Sequence, residues 1–234
     1  MTPLEKIEQV FEFKYPTLYL QLYDDKMLDP VKEAGNPLEA DISKVKNSPT
    51  LLLFAQDFTL MDWKEIEEEA KNLRDPDDYR GPDPKHHFIP FAWTKSGHCY
   101  AFYLNDQHGD EVPIVIVHNN MDEARYLAKN LQDFIFRFLL EIVSDVDEGM
   151  PVMQGDFKEN TANSWRTHKK YLTEQQQIIV EDYYNMKLHS YTDKMSSGTE
   201  MTRTGLISGK DLNAILEDEI GFDKLNKTFR YMLS

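Results

Sequence analysis

The stretch His86–His118, HHFIPFAWTKSGHCYAFYLNDQHGDEVPIVIVH, decides the fold class. Three apolar runs lie inside it: His87–Ala92, His98–Leu104 and Val112–His118. Each is rich in Phe, Tyr, Ile and Val, and each has the length of a strand. Between them stand Thr94-Lys95-Ser96-Gly97 and Asn105–Asp110, where Gly97 and Gly109 can take positive φ. Connections this short cannot hold a crossover helix, so the strands must run antiparallel as a meander. On the middle strand His98, Tyr100, Phe102 and Leu104 share one face, and Cys99, Ala101 and Tyr103 the other. Apolar residues on both faces require cover on both. The expectation is an α+β fold, an antiparallel sheet meander covered by helices, with a helical C-terminal extension.

Working outward, Thr2-Pro3-Leu4-Glu5 is a capping box with proline at the first helical position, followed by Leu4, Ile7, Val10 and Phe11 on one face. Pro16 opens a second short helix that ends at Asp24-Asp25. Residues 29–50 read as loop with room for one edge strand, and Leu51–Ala55 as an apolar strand. Asp62 and Glu65 cap a helix with Trp63, Ile66, Ala70 and Leu73 as its stripe. C-terminal to the meander, Asn120 caps a long helix running from Ala124 to Ile142 at the 3.6 period. Residues 144–172 read as a linker or surface excursion. Thr173 with Gln176 opens another helix, His189–Lys210 reads as a long polar loop, and Ser208 with Asp211 caps a last helix. Phe222, Leu225, Phe229 and Met232 continue a helical stripe. The expected division is a domain over 1–145 and a helical extension over 146–234.

With 234 residues the chain can bury roughly 70–75 % of its unfolded surface, enough for a large domain plus an extension. The formal net charge of -15 argues against nucleic acid and anionic membrane as partners. It favours a basic partner, because such a field steers encounters toward ~10⁸–10⁹ M⁻¹s⁻¹ at low salt. The single cysteine, Cys99, excludes an internal disulfide and fits a reducing compartment. With no signal peptide and no transmembrane run in view, the expected location is cytoplasmic.

Marks of catalysis are sparse. Cys99 adjoins His98, but neighbours on a strand point to opposite faces, so the two cannot form a dyad. There is no G-x-S-x-G elbow, no G-x-x-x-x-G-K-[ST] loop and no G-x-G-x-x-G turn. In Asp75–Lys85 a calcium loop fails at Tyr79, Arg80 and His86, where an EF-hand needs a ligand, a glycine and a glutamate. No cofactor and no metal ligand set is expected. Five of the seven histidines fall in the meander stretch, and His98, His118 and Asp106 keep a metal-dependent hydrolase as an alternative. Among Trp63, Trp93 and Trp165, Trp93 stands between a strand and a turn, where an aromatic ringed by acids suits a protein interface.

In order and spacing these segments resemble the SUKH superfamily of Smi/Knr type. The resemblance rests on Tyr15-Pro16, Leu51–Phe54, the capped Trp63 helix and Phe88-Ile89-Pro90-Phe91-Ala92. It continues through Ser96-Gly97-His98-Cys99-Tyr100-Ala101-Phe102, Pro113-Ile114-Val115 and Asn130-Leu131-Gln132-Asp133-Phe134, covering roughly residues 2–143. It implies an α+β domain that binds other proteins and lacks an active site. Bacterial members are similar to immunity proteins that neutralise a toxin, often a nuclease, and fungal relatives serve as scaffolds in cell-wall regulation.

The expected function is therefore a non-enzymatic immunity protein for a basic, nuclease-type toxin. Its contact face is expected at Asp24, Asp25, Asp57, Trp93, Asp106, Asp110 and Glu111, which flank the meander's loops. A regulatory scaffold acting through a mobile Ser/Thr loop at 190–204 is a further alternative.

Overall fold

The computed structural model describes residues 1–31, 45–194 and 199–233. In chain order the elements are α1 (Pro3–Phe11), α2 (Thr17–Asp24), β1 (Thr59–Leu60), α3 (Trp63–Asn72), β2 (Phe88–Trp93), β3 (Cys99–Tyr103), β4 (Ile114–Val117) and β5 (Ala124–Ala128). There follow α4 (Leu131–Glu141), α5 (Phe157–His168), α6 (Glu174–Tyr184), β6 (His189–Lys194), β7 (Glu200–Gly205), α7 (Gly209–Ile220) and β8 (Thr228–Phe229). They form two compact units. The first comprises Met1–Pro30, Asp57–Phe134 and Phe222–Ser234, and the second Val31–Gln56 and Ile135–Gly221.

The first unit is the expected α+β body. Its sheet has the order β1-β2-β3-β4-β5-β8, every neighbouring pair antiparallel. Gly97 and Gly109 take φ of 79° and 64° in the two turns, as expected. One face buries Phe91, Tyr100 and Phe102, met by Tyr15 and Tyr19 from the α1–α2 region and by Phe134 at the start of α4. The other buries Phe88 and Tyr103, stacked across the strands at 5.1 Å, with His86, Phe229 and Tyr231 around them. Such edge-to-face and offset pairs contribute about 0.5–1.5 kcal/mol each beyond their area. Both capping boxes form: Thr2 with Glu5 on α1, and Asp62 with Glu65 on α3. Pro16 is the N-cap of α2.

Two readings in this unit are corrected. Residues 124–128 form strand β5, and the helix starts only at Leu131, behind a cap in which the Asp133 N–H donates to Asn130 Oδ1 at 2.9 Å. Pairing with β4 and β8 takes this segment into the sheet, because Ala-Arg-Tyr-Leu-Ala satisfies a strand period as well as a helical one. Likewise Phe222–Met232 is not one helical stripe, since Thr228–Phe229 adds the sixth strand.

The second unit holds α5, α6 and α7 among its described residues, together with the hairpin β6–β7. The capping box Thr173–Gln176 and the Ser208 cap form as read. Three readings change. Leu51–Ala55 is a chain of turns, with Leu52 at φ 51° and its N–H donating to His168 Nε2 at 3.0 Å. The expected linker contains α5, capped by Asp156. That helix buries Asn160, Thr161, Asn163, Ser164 and His168, so its inward face is polar and hydrophobic periodicity misses it. The expected polar loop 190–204 is largely the ladder His189↔Gly205 to Lys194↔Glu200, with residues 195–198 outside the described ones. Most of the range 29–50, read as loop with room for one edge strand, is 32–44 and lies outside the described residues. Among the described residues no helix is long and apolar enough to cross a membrane.

His168 is completely buried, accepting from Leu52 N–H and donating through Nδ1 to the Ser164 carbonyl at 2.8 Å. Burial pushes its pKa down to about 4 from the ordinary 6.5. The folded state then binds fewer protons than the unfolded one between those values. Stability is fully present above pH 6.5 and falls as pH drops toward 4, by about 3 kcal/mol in all. Urea melts of wild type and His168→Gln between pH 7 and 4 check this: the variant should lose much of the acid-dependent slope. An equal slope in both would refute it.

Candidate functional site

The meander gives the first unit's sheet two loop-bearing ends, separated by the five residues of β3, about 17 Å of strand. At one end the β2–β3 and β4–β5 turns are stitched together. Asn119 donates from its backbone N–H to His98 Nδ1 (3.2 Å) and from its amide to the Ser96 carbonyl (3.2 Å). Gly97 suits the turn because of its φ of 79°, and a Cβ there would also stand 2.8 Å from the Asn119 amide nitrogen, so that side chain would have to shift. Asp57 braces the same turn: its carboxylate accepts from Lys95 N–H at 2.6 Å and its carbonyl from Tyr100 OH at 3.0 Å. Trp93 is half-buried beside it, paired across strands with Thr59 and Cys99. Tyr231 donates to the His118 carbonyl, and Asp122 takes the Met232 N–H at 2.7 Å and pairs with Arg230.

The opposite end carries Asp106, Asp110 and Glu111. Asp106 is bound to Lys224 at 2.7 Å and to Tyr126 OH. Burial alone would raise its carboxyl, but these partners outweigh that and hold it below the usual carboxylate range. Asp110 accepts the Thr17 N–H at 2.8 Å, supplying the side-chain cap that Pro16 cannot give α2. Glu111 is exposed, with Lys129 at 3.8 Å. Asp24 and Asp25 are exposed at the C-terminal end of α2, next to the Tyr23–Trp63 ring pair at 5.6 Å. The structure thus brings Asp57 together with Trp93, and Asp106 near Asp110 and Glu111, at opposite ends of the strands.

The metal alternative loses its geometry. His98 and His118 do meet, ring centroids 4.7 Å apart, but Asp106 lies at the far end of β3. Among the described residues no three His, Cys, Asp or Glu side chains are grouped to hold an ion. Burial, then the neighbouring His98 and Arg125, push the His118 pKa down. Cys99 is free and buried, and burial pushes its thiol up, which disfavours the thiolate a nucleophile needs.

One feature escaped the sequence reading. On the loop 75–83, Tyr79 is 80 % exposed, while the next side chain, Arg80, is only 4 % exposed and lies between two carboxylates. Arg80 donates to Glu69 at 2.5 Å and to Asp78 at 2.7 Å. Burial would lower the guanidinium pKa, but these carboxylates raise it above the usual arginine value. The available signal was a lone tyrosine among aspartates in a proline-bounded loop, DPDDYRGPDP.

The chain has no match among curated proteins or solved structures. The sequence model of the SMI1 / KNR4 family (SUKH-1) matches residues 3–137, more than half of the chain and nearly all of the meander with its flanking helices. On that match, and on the antiparallel α+β body that carries it, the chain belongs to the SMI1 / KNR4 family (SUKH-1).

Proposed function

We propose that this chain is a non-enzymatic immunity protein that acts in the cytoplasm by binding and neutralising a cognate basic toxin of nuclease type. The reading is carried by a net charge of -15 on a chain of this family. A nuclease has a cationic surface for its phosphate substrate, and an acidic protein can occupy that surface in the substrate's place. Asp57 and Trp93, at the stitched end of the meander, are the central contacts on this reading. Asp24 and Asp25 are exposed charges at the end of α2, and Glu111 is exposed at the opposite end of the strands, where Asp106 and Asp110 hold the loop in shape.

Titration calorimetry against a panel of purified basic nuclease-type toxin domains tests this. One member should bind with submicromolar Kd, and its affinity should weaken about tenfold or more between roughly 50 and 300 mM salt. A panel without a binder, or binding indifferent to ionic strength, would overturn the proposal.

A further inference from the structure

We propose that the loop around Tyr79 is a preorganised docking point for that basic partner; the inference rests on the proposed function and adds a contact to those at Asp57 and Trp93. Tyrosine is enriched at interface hot spots, because it offers a large contact area at small entropic cost. A free tyrosine at 80 % exposure on a floppy loop would forfeit that advantage. This loop is held.

Asp75 Oδ1 accepts the Asp77 N–H at 3.0 Å, and the Asp75 carbonyl accepts the Asp78 N–H at 3.0 Å. Gly81, at φ 59°, closes the turn onto the Asp78 carbonyl at 2.8 Å. The C-terminal segment ties down the far side: Leu233 N–H donates to Gly81, Asp83 N–H to Tyr231, and Pro82 bridges Met232. Beneath the ring, the Arg80 guanidinium lies 5.1 Å from its centroid, clamped by Glu69 and Asp78.

The charge around the ring selects the occupant. Arg80 is neutralised from within, and Arg74 turns its guanidinium to the Phe11 ring at 4.8 Å. Exposed within the same loop as Tyr79 are the carboxylates of Asp75 and Asp77. An exposed aromatic ring on a loop that also exposes two carboxylates suits a lysine or arginine of a basic protein, which gains a cation–π contact and a charged rim together.

The test uses full-length protein against the same panel of toxin domains. For the member that wild type binds, Tyr79→Ala should weaken Kd at least thirtyfold and Tyr79→Phe less than threefold. Asp75→Asn with Asp77→Asn should flatten the salt dependence. Glu217→Gln, exposed on α7, should change nothing. Because Tyr79 and both aspartates are exposed, each variant's melting temperature should match wild type, showing that it is folded. A bound member whose affinity is untouched by Tyr79→Ala overturns this inference and leaves the proposed function standing. A panel with no binder at all overturns both.

Discussion

Arg80→Ala should destabilise the first unit by about 3–5 kcal/mol, since removing one partner of a buried ion pair strands the others. Two carboxylates depend on this guanidinium: Glu69, side chain 8 % exposed, and Asp78, 11 % exposed. Alanine leaves both without their cation and opens space beneath Tyr79 as well. Arg80→Lys keeps a charge but lacks the planar fork that reaches Glu69 and Asp78 together, so it should recover only part of the loss. The triple change Arg80→Met, Glu69→Leu, Asp78→Asn removes the whole charge set and should cost less than Arg80→Ala alone. Urea unfolding of the four proteins checks the order, and an Arg80→Ala midpoint within ~1 kcal/mol of wild type would refute it.

The second large effect lies in the other unit. Gly205→Val should cost ~3 kcal/mol or more, because the side chain has no room and its neighbours are backbone. A Cβ at this position would sit 2.4 Å from the Ser144 carbonyl oxygen and 2.8 Å from that of Val143. Those carbonyls cannot move freely, since the Leu206 N–H donates to Val143 and the Val146 N–H to Thr204, each at 2.7 Å. Gly209→Ala is the informative contrast. Its Cβ would also be crowded, at 2.7 Å, but by the far end of the Asp193 side chain, which can swing away. That variant should lie within ~1 kcal/mol of wild type. Thermal melts followed by circular dichroism distinguish the two, and similar melting of both variants would sink the argument.

Where local chemistry and tertiary pairing agree, the elements are legible from residues alone. Thr2, Asp62, Thr173 and Ser208 announce their helices because each cap needs only its own first turn. The meander is legible because short turns leave antiparallel pairing as the single option. The misreadings come from places where burial is not hydrophobic or not one-sided. Helix α5 hides behind Asn160, Asn163 and His168, polar side chains turned inward. Strand β5 is buried at Ala124, Tyr126, Leu127 and Ala128, so its apolar residues fit two periods equally. The candidate site is less legible still. Asp106 and Asp110 are acidic residues in loops, as sought, yet the fold uses them as a lysine partner and a helix cap. Nothing in their local sequence separates that service from a role in recognition.

The sheet order carries a consequence for the family-matched segment. Strand β5 finds its outer partner only in residues 228–229, so the family-matched segment 3–137 contains a ladder whose rim is finished by chain from outside that segment. A product clipped before Asn226 would present the bare amide and carbonyl of Tyr126, which otherwise bond to Lys227 and Asn226, beside an uncovered aromatic face at Phe88 and Tyr103. The β5 rim is thereby sealed only by residues about a hundred positions further along the chain, so the family-matched segment depends on them to cover its edge.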